Sequence, residues 1–528
     1  MSKDHLKLGT RRSLLAKAQS LWVKSELEQI HPNLVVELVE IETRGDQIQN
    51  IPLSQMEGKD FFVAELDQAL LDRRVDFNVH SMKDLSLERP KAFASTFIPK
   101  RANPRDVVLF SPFAHKNLSS GKTLKIGSSS PRRIENVSKF LEQALPSIKN
   151  SSVKKVQMIE IRGNVNTRLQ RVNEPETSER YLDGVVLAFA GLIRLWADRN
   201  GRLALTDLLK NVKWMVLPLE QNPTAAAQGA LAIECLEQNE RAKGILKSIH
   251  DEKTKHLVQK ERNLLEKWGG GCHQRFGATA INVPFIGEVL FVRGIKPDGS
   301  SISETTYQIP RAENKTLAWH GRLQKFDQKP KPTNEIIDSF FYTLGKSGQG
   351  KQPSIFVAHK NALCDELFLE LDNRGYKPRI WVSGVKSWFA LASKGIWVEG
   401  CAEGVGFDWL SNEIYSEVLC SEPPDKWIAL THEHAAHKWM HSVITYESIA
   451  QTDPNVLEKL SQATHVYWSS SQQFDALQSK AISVKEHACG PGKTARHIAK
   501  QLKERNQEDK LRVFLTPEDW KKWIGYED

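Results

Sequence analysis

No run of apolar residues in this 528-residue chain approaches the length that a membrane-spanning helix needs. The stretch after the Arg11-Arg12 pair carries Lys17, Gln19 and Lys24 instead of the apolar core of an export signal. The composition, 40% hydrophobic and 26% charged, is that of an ordinary globular protein. We therefore expect a cytoplasmic protein of three or four domains that does not associate with membranes.

Cysteine is scarce, and its six copies are scattered without a CxxC pair or a spacing typical of metal ligands. This pattern indicates reduced thiols, and it predicts no bound metal. Two motifs that suggest other chemistry are incomplete. His487 occupies the place of the first glycine in a phosphate-binding loop ending at Thr494, and Ala436 stands where a zinc-binding HExxH helix starting at His432 needs its second histidine.

The net charge of +9 is unevenly distributed. Residues 1–350 hold 52 basic and 40 acidic residues, whereas residues 351–528 hold 21 and 24. A basic excess is typical of nucleic-acid binding, but no basic run here alternates with aromatic residues. Separated arginines at the starts of loops fit a pocket for carboxylates better than a groove for a phosphate backbone.

Apolar segments with strand and helix periodicity alternate along the first half of the chain, which predicts an α/β fold with largely parallel sheets. Several polar residues follow predicted strands directly: Arg11, Lys83, Asp84, Ser128 and Arg162. Because ligands bind at the carboxyl ends of parallel strands, we expect these side chains to share one cleft. Residues 327–354 are rich in Lys, Pro, Gly, Ser and Asn, which predicts a linker, although Thr333–Leu344 could form a helix.

The most informative segment is Val79-His80-Ser81-Met82-Lys83-Asp84. A cation beside a carboxylate keeps that carboxylate ionised, and an ionised carboxylate at a strand end can move a proton or stabilise a developing cation. An isolated Lys-Asp pair is usually a surface salt bridge. Further motifs accompany it in order: Gly9-Thr10-Arg11, Thr43-Arg44-Gly45-Asp46, Ser128-Ser129-Ser130-Pro131-Arg132-Arg133, Arg162-Gly163-Asn164-Val165-Asn166-Thr167-Arg168 and Gly269-Gly270-Gly271-Cys272.

Together these motifs resemble the porphobilinogen deaminase (hydroxymethylbilane synthase) family, from about Lys7 to about Gly299. The resemblance implies two periplasmic-binding-protein-like α/β domains, formed by residues 1–100 with 218–240 and by residues 101–217. It implies a small α+β third domain, residues 241–326, that carries the cofactor cysteine. The resemblance implies a monomer whose partner is the small-molecule substrate porphobilinogen.

The implied activity is the stepwise deaminating polymerisation of four porphobilinogen molecules to hydroxymethylbilane, in tetrapyrrole (haem) biosynthesis. The implied primer is a dipyrromethane cofactor attached covalently through Cys272. Asp84 and Lys83 are the expected catalytic residues. The expected cofactor-binding residues are Cys272, Lys83, Asp84, Ser128, Ser129, Ser130, Arg132, Arg133, Arg162 and Arg168. The expected substrate-binding residues are Arg11, Ser13, Lys59, Phe62, Arg194 and Gln228.

Two positions depart from the family pattern. Gln55 stands where the family usually has a lysine in a mobile lid, so the lid electrostatics differ. Ala227 stands where the family has glycine, and a Cβ atom is tolerable there if φ is negative. A non-catalytic anion-binding protein of periplasmic-binding-like fold is the main alternative, but a pure binder would need neither Cys272 nor Asp84.

The C-terminal region, residues 355–528, contains segments similar to uroporphyrinogen-III synthase, which inverts the last ring of hydroxymethylbilane and closes the macrocycle. The similar segments are Lys386-Ser387-Trp388, Thr445-Tyr446, Val466-Tyr467-Trp468-Ser469-Ser470-Ser471 and Cys489-Gly490-Pro491-Gly492-Lys493-Thr494. The resemblance implies a two-lobed α/β fold and a bifunctional chain. Its candidate residues are Tyr446, Ser469, Ser470 and Thr494. The alternative is a deaminase with a non-catalytic regulatory tail.

Overall fold

The computed structural model describes residues 4–43, 63–94, 96–147, 155–269, 274–309, 318–319, 324–436, 439, 441–452, 454–481 and 483–525. The chain divides into two compact units. Unit 1 comprises Met1–Ala280, Leu290–Thr305 and Ser416–Cys420, and unit 2 comprises Ile281–Val289, Thr306–Tyr415 and Ser421–Asp528. Within the described ranges, no helix has the length and apolar character needed to cross a bilayer.

The first twelve strands form three sheets. They are β1 Asp4–Arg11, β2 Leu34–Ile41, β3 Phe77–Ser81, β4 Asp106–Phe110, β5 Leu124–Gly127, β6 Val156–Ile159, β7 Gly184–Ala188, β8 Lys213–Val216, β9 Leu231–Cys235, β10 Phe276–Val283, β11 Gly287–Ile295 and β12 Ser301–Tyr307. The strand orders are β2-β1-β3-β9, β6-β5-β7-β4-β8 and β10-β11-β12.

The first two sheets are mixed, whereas the sequence predicts largely parallel ones. β2-β1-β3 and β6-β5-β7 pair in parallel, but β9 runs antiparallel to β3, and β4 runs antiparallel to both β7 and β8. β4 and β9 are the strands at which the chain enters one sheet from the other, since β3 and β4 belong to different sheets, as do β8 and β9. Neither strand therefore follows a helical crossover within its own sheet, which a parallel neighbour requires.

Nine α-helices lie in the described residues of unit 1, and a side chain caps the start of five of the nine. They are Leu14–Ile30, Ala64–Leu71, Ala114–Ser119, Pro131–Ala144, Val165–Asn173, Phe189–Ala197, Arg199–Leu209, Glu240–Leu246 and Glu252–Lys267. Ser13 caps the first by accepting a hydrogen bond from the Ala16 amide at 3.3 Å. Pro131 occupies the first turn of the helix that follows Ser130, where the missing proline N–H costs nothing.

Buried apolar side chains hold the first sheet against its helices. Leu8 of β1, Phe77 of β3 and Ile233 of β9 are fully buried, and they pack with Val23 and Leu27 of the helix Leu14–Ile30. Burying each such side chain contributes roughly 1.5–3 kcal/mol. The packing therefore fixes the ends of β1 and β3, which carry the predicted site residues.

Unit 2 contains a larger and a smaller sheet. Its strands are β13 Ala318–Trp319, β14 Gln324–Pro330, β15 Ser354–Val357, β16 Arg379–Val382, β17 Val398–Cys401, β18 Ile428–His432, β19 His441–Thr452, β20 His465–Trp468, β21 Glu486–Cys489 and β22 Leu511–Val513. The larger sheet has the order β14-β19-β18-β15-β16-β17 and the smaller β13-β20-β21-β22. The chain thus leaves the smaller sheet after β13 and returns to it at β20.

The helices of unit 2 alternate with these strands. They are Thr333–Ser347, Asp365–Asn373, Val385–Ser393, Phe407–Trp409, Glu433–Ala436, Pro454–Gln462, Ser471–Leu477, Lys493–Lys503 and Pro517–Ile524. In the larger sheet, β15, β16, β17, β18 and β19 pair in parallel, and β14 pairs antiparallel with β19. Unit 2 is therefore also of the α/β class.

The linker predicted at residues 327–354 differs from the structure. β14 runs through Pro330, and the helix Thr333–Ser347 buries Ile336, Phe340 and Leu344 on one face. β14 pairs with β19 along its whole length. The segment is therefore folded as part of unit 2.

Candidate active site

The predicted catalytic pair lies on a short turn at the end of β3. The strand ends at Ser81, and Met82–Asp84 forms one 3₁₀ turn. Met82 is buried in the core, whereas the Asp84 side chain is exposed. The turn is therefore anchored by its first residue and presents its last to a cavity.

Six of the residues predicted from the sequence line one cavity of about 220 Å³ in unit 1. They are Arg11, Ser13, Lys83, Asp84, Arg194 and Gln228. Arg194 comes from the helix that follows β7, and it donates a hydrogen bond to the Gly229 carbonyl at 2.7 Å. Burial lowers the pKa of Arg194 to about 10, so its guanidinium group remains charged at neutral pH. The cavity is thus lined by residues that follow strands of both mixed sheets.

Gln228 connects Lys83 to a buried carboxylate. The Gln228 Nε2 atom donates to the Pro104 carbonyl and to Oδ1 of Asp106, both at 2.8 Å. This leaves Oε1 of Gln228 to accept from Nζ of Lys83 at 3.4 Å. Burial lowers the pKa of Lys83, and Arg133 and Arg132 lower it further, while Asp84 and Asp106 oppose the change. Gln228 is thus held by protein groups, and it positions the lysine.

Asp106 lies beneath the arginine pair that starts the helix Pro131–Ala144. Its carboxylate accepts a hydrogen bond from Arg133 at 2.7 Å and forms an ion pair with Arg132 at 2.9 Å, and all three side chains are buried. Burial alone would raise the pKa of Asp106, but the two guanidinium groups and the hydrogen bonds from Arg133 and Gln228 hold that pKa far below its ordinary value.

The two arginines keep unused donors. Arg132 also donates to the Pro223 carbonyl at 3.0 Å, and Arg133 donates to the Val186 carbonyl at 3.2 Å. The Nε–H group of each is buried and has no hydrogen-bond partner among the described residues. An unpaired buried donor is costly, more so on a charged group. Both arginines are therefore suited to an anionic group that reaches them from the cleft.

Ser128, Ser129 and Ser130 precede the helix Pro131–Ala144 and form a second polar edge of the cleft. Ser128 is buried after β5, and its Oγ atom accepts from the Ser130 amide at 3.2 Å. Arg168 donates to the Gly163 carbonyl at 2.8 Å and to Ser129 Oγ at 3.4 Å. Burial lowers the pKa of Arg168 to about 10, with smaller contributions from Arg133 and Arg162. Amide groups at a helix N-terminus beside charged arginines favour anions.

Some predictions fall outside the described residues. These are Lys59, Phe62 and Cys272, together with the Arg44-Gly45-Asp46 motif and Gln55. Arg162 follows β6 and is partly exposed, as expected for a residue just past a strand end.

Sequence reasoning missed a buried pair that supports the site. Glu261, from the helix Glu252–Lys267, accepts from Arg101 at 2.6 Å and from the amides of Ala227 and Ala280 at 2.6 and 2.7 Å. Arg101 also donates to the Gln228 carbonyl at 2.8 Å. Ala227 has a φ of 64°, so the condition of a negative φ is not met. The hydrogen bond that the Ala227 amide donates to Glu261 holds this strained turn next to Gln228.

A cluster of possible metal ligands lies beside the cavity. One ligand atom from each of Asp67, His80 and Glu234 lies within 4.8 Å of the others. Nη2 of Arg89 lies 2.7 Å from both carboxylates, so a guanidinium group already supplies the positive charge. Burial, with smaller contributions from Arg89 and Arg11, lowers the pKa of His80 to about 3, which keeps the imidazole neutral.

The four candidate residues in unit 2 do not gather in one cavity. Tyr446 of β19 lines a cavity of about 430 Å³ that contains none of the other three. Ser469 Oγ donates to Gln473 Oε1 at 3.0 Å, and Ser470 caps the helix Ser471–Leu477. Thr494 lies in the first turn of the helix Lys493–Lys503. Both serine hydroxyls thus contribute to the local structure of this helix start.

The chain is similar to known proteins over its first half. Residues 6–244 match the family described as porphobilinogen deaminase, dipyromethane cofactor binding domain. The porphobilinogen deaminase of Geobacter metallireducens is 36% identical over 304 residues, which cover 56% of this chain and 86% of the relative. That of Brevibacillus brevis is 35% identical over 311 residues, 57% of this chain and 87% of the relative.

These matches, together with the cleft of arginines around Lys83 and Asp84, define the class. The chain belongs to the porphobilinogen deaminase family, and it contains that family's dipyrromethane cofactor-binding domain. Among solved structures, the BenM effector binding domain with its effector benzoate covers 50% of this chain and 95% of its own length. Its identity is 14% and its TM-score 0.26, too low to support any argument.

Proposed function

We propose that unit 1 is a hydroxymethylbilane synthase that adds four porphobilinogen molecules to a covalent dipyrromethane primer. The observation that carries this proposal is the position of Asp84. Its exposed carboxylate lies next to Lys83 in a cavity that Arg11 and Arg194 also line. In each addition, the aminomethyl C–N bond of the substrate breaks and ammonia leaves. A C–C bond then forms to the chain terminus, which loses a proton.

Asp84 has the role of stabilising the cation that remains when ammonia leaves the substrate. Its carboxylate can accept a hydrogen bond from a pyrrole N–H and can receive the proton that is released. Lys83 lies beside it in the same turn and supplies a neighbouring positive charge. The arginines bind the acetate and propionate groups of the substrate by charge-assisted hydrogen bonds, each worth roughly 1.5–3 kcal/mol.

The described residues fit a cofactor that carries several carboxylates. The unused Nε–H groups of Arg132 and Arg133 are buried donors in need of acceptors. Arg162, Arg168 and the Ser128–Ser130 edge supply more donors at the same end of the sheet. The cofactor, when bound through Cys272, supplies the chain terminus to which substrate is added.

We propose three domains for the deaminase, formed by residues 1–100 with 218–240, by residues 101–217 and by residues 241–326. The first two ranges each contain the strands of one sheet, which supports the division. The third contains the sheet β10-β11-β12, but it also contains β13 and the first residues of β14, which belong to the sheets of unit 2. A non-catalytic anion-binding protein would also suit two α/β domains with arginines. It would not need the exposed Asp84 carboxylate in the middle of the cavity.

Intact-mass measurement of the purified chain tests the proposal. The expected mass exceeds the sequence mass by two pyrrole units, and Cys272→Ser should remove the excess. Cys235→Ser is the matched control, since Cys235 is buried in the first sheet and should leave the added mass unchanged. An unmodified chain that still converts porphobilinogen would contradict the proposal.

For unit 2, we propose that it cyclises hydroxymethylbilane to uroporphyrinogen III, which would make the chain bifunctional, a transferase and a lyase. Two features support this. The chain crosses from the smaller sheet to the larger one and back, as the resemblance to uroporphyrinogen-III synthase implies. Tyr446, the expected tyrosine, lines the cavity of about 430 Å³.

The porphyrin isomer formed from porphobilinogen tests this second activity. Hydroxymethylbilane that is released and not cyclised by an enzyme closes to the type I isomer. The full chain should therefore give type III, and Tyr446→Phe should give mainly type I with the same total porphyrin. Type I from the unaltered chain would leave a deaminase with a non-catalytic regulatory tail.

A further inference from the structure

The cavity around Tyr446 has the size and lining of a small-molecule site. Its volume of about 430 Å³ lies within the range of roughly 300–1,000 Å³ that ligand pockets occupy. Leu363, Ala390 and Leu391 supply apolar surface, and Lys360, Lys394 and Tyr446 supply polar groups. An apolar floor beside a few donors suits a ring that carries polar substituents.

The Tyr446 hydroxyl lacks a protein partner. The residue is 5% exposed, and in the described part of the chain its hydroxyl makes no hydrogen bond. The hydroxyl is accessible from the cavity, where a bound acceptor can take its hydrogen bond. Burial raises the pKa of Tyr446 to about 12, so the phenol is protonated at neutral pH and offers a donor.

The two lysines at the cavity differ in their pairing. Lys394 forms a salt bridge with Asp365 at 2.9 Å, so its charge is already compensated. Lys360 lies on the turn Lys360–Ala362, its side chain is exposed, and no ion pair joins it to any residue that the structure describes. The cavity therefore offers one uncompensated ammonium group and one phenolic donor, and both call for an anionic acceptor.

We propose that this cavity binds one carboxylate-bearing ring of a linear tetrapyrrole, with Lys360 recognising a carboxylate and Tyr446 contacting the same ring. The inference rests on the proposed cyclising function of unit 2, and it names the residue that recognises the substrate. The apolar surface of Leu363 and Leu391 packs against the ring face. Lys360 is not among the residues that line the cavity around Asp84.

A binding experiment on the full chain tests the site without requiring turnover. The probe is uroporphyrin I, a stable cyclic polycarboxylate, followed by its own fluorescence anisotropy. We expect Lys360→Glu to weaken the cavity-bound component by at least about tenfold, about 1.4 kcal/mol, because a favourable ion pair becomes a repulsion. Lys360→Arg, which keeps the charge, should retain most of the affinity.

Lys480→Glu is the matched control. Lys480 is also exposed, and it lies outside the cavity on the turn Gln478–Lys480. Its replacement by glutamate changes the net charge by the same amount. Binding to the deaminase cleft is common to all the variants and cancels in the comparison. Equal affinities for Lys360→Glu, Lys480→Glu and the unaltered chain would overturn the proposal.

The isomer readout separates this inference from the proposed function. If the unaltered chain gives type III and Lys360→Glu shifts the product towards type I at unchanged total porphyrin, both stand. If the unaltered chain gives type III and Lys360→Glu does so equally well, the inference fails alone. If the unaltered chain gives only type I, the cyclising function fails, and the uroporphyrin titration then decides whether the cavity binds the polycarboxylate.

Discussion

Two aspartates of unit 1 have the same charge and opposite surroundings. Asp84 is exposed in the cavity, whereas Asp106 is fully buried under Arg132 and Arg133. An exposed carboxylate can approach the substrate, and a buried one can fix the groups above it. We therefore propose that the chemistry of the cleft depends on Asp84 and its geometry on Asp106.

The first prediction concerns the exposed carboxylate. Asp84→Asn should lower the rate of porphyrin formation from porphobilinogen by at least about 100-fold, because the amide keeps the shape but neither stabilises a cation by charge nor accepts a proton. If the chain carries its cofactor before the assay, its thermal unfolding temperature and the added cofactor mass should be unchanged. Asp72→Asn is the control, since Asp72 lies after the helix Ala64–Leu71 and does not line the cavity. Near-normal rates would remove Asp84 from its role.

The second prediction concerns the buried carboxylate. Asp106→Asn should destabilise unit 1 by about 3–5 kcal/mol, because two buried guanidinium groups lose their counterion. Thermal unfolding measures this, and Asp106→Glu should restore part of the loss. Unfolding of Asp106→Asn at the unaltered temperature would show that the arginines do not need this charge.

The pH dependence of that difference has a defined sign. Folding lowers the pKa of Asp106, so its contribution is fully present above the pKa of an unfolded aspartate, about 4, and is lost as the pH falls further. The stability difference between the unaltered chain and Asp106→Asn should therefore be constant near neutral pH and shrink below roughly pH 4. A difference that grows in acid would contradict this account.

The sequence revealed the residues that line the cavity better than those that support them. Arg11, Lys83 and Asp84 stand at strand ends within short motifs, so local order was enough to find them. Asp106 and Glu261 act through partners far away in the sequence, such as Gln228 and Arg101. No local pattern records such a pairing. The only signal for Asp106 was a charge at the start of the apolar strand β4.

Residues that mark helix boundaries explain where the prediction of helices and linkers succeeded and where it failed. Between Ser13 and Glu28, apolar residues such as Leu14, Ala18 and Leu21 recur at helical spacing, and this stretch forms the helix Leu14–Ile30 with Ser13 as its cap. In the predicted linker, Pro332 precedes the helix Thr333–Ser347, and Gly348 ends it with a φ of 69°. Proline before a helix and glycine after it are boundary signals. In residues 327–354, Pro332 and Gly348 therefore mark the two ends of a helix.

The third prediction concerns the helix Glu252–Lys267 and the turn that it holds. Glu261→Ala should destabilise unit 1 by about 3–5 kcal/mol, because it leaves the Arg101 charge and two backbone amides without their buried partner. Asp372→Ala is the control, since it breaks an ion pair with Lys377 whose side chains are 71% and 68% exposed. Exposed pairs contribute about 0–1 kcal/mol. Equal effects on thermal unfolding would contradict the assignment of Glu261 as the support of this turn.

At the scale of the whole chain, a cut at Gly350 is a poor way to separate the two units. It would remove β19 and leave β14 without the strand that it pairs with from Gln324 to Pro330. It would also leave the buried face of the helix Thr333–Ser347, with Phe340 and Leu344, uncovered. Point variants in the full chain avoid this exposure and keep every pairing.

The last prediction uses two such variants together. Asp84→Asn should make no hydroxymethylbilane but keep an intact unit 2, and Tyr446→Phe should make it without cyclising it. Each unit has a cavity of its own, so we expect hydroxymethylbilane to pass through solvent between chains. The Asp84→Asn protein is added to a mixture of the Tyr446→Phe protein and porphobilinogen. The fraction of type III isomer should rise in proportion to the Asp84→Asn protein added, until cyclisation by unit 2 outpaces spontaneous closure. A chain with both substitutions is the control and should leave the product type I. If excess Asp84→Asn has no effect while the unaltered chain gives type III, the intermediate must stay with the chain that made it.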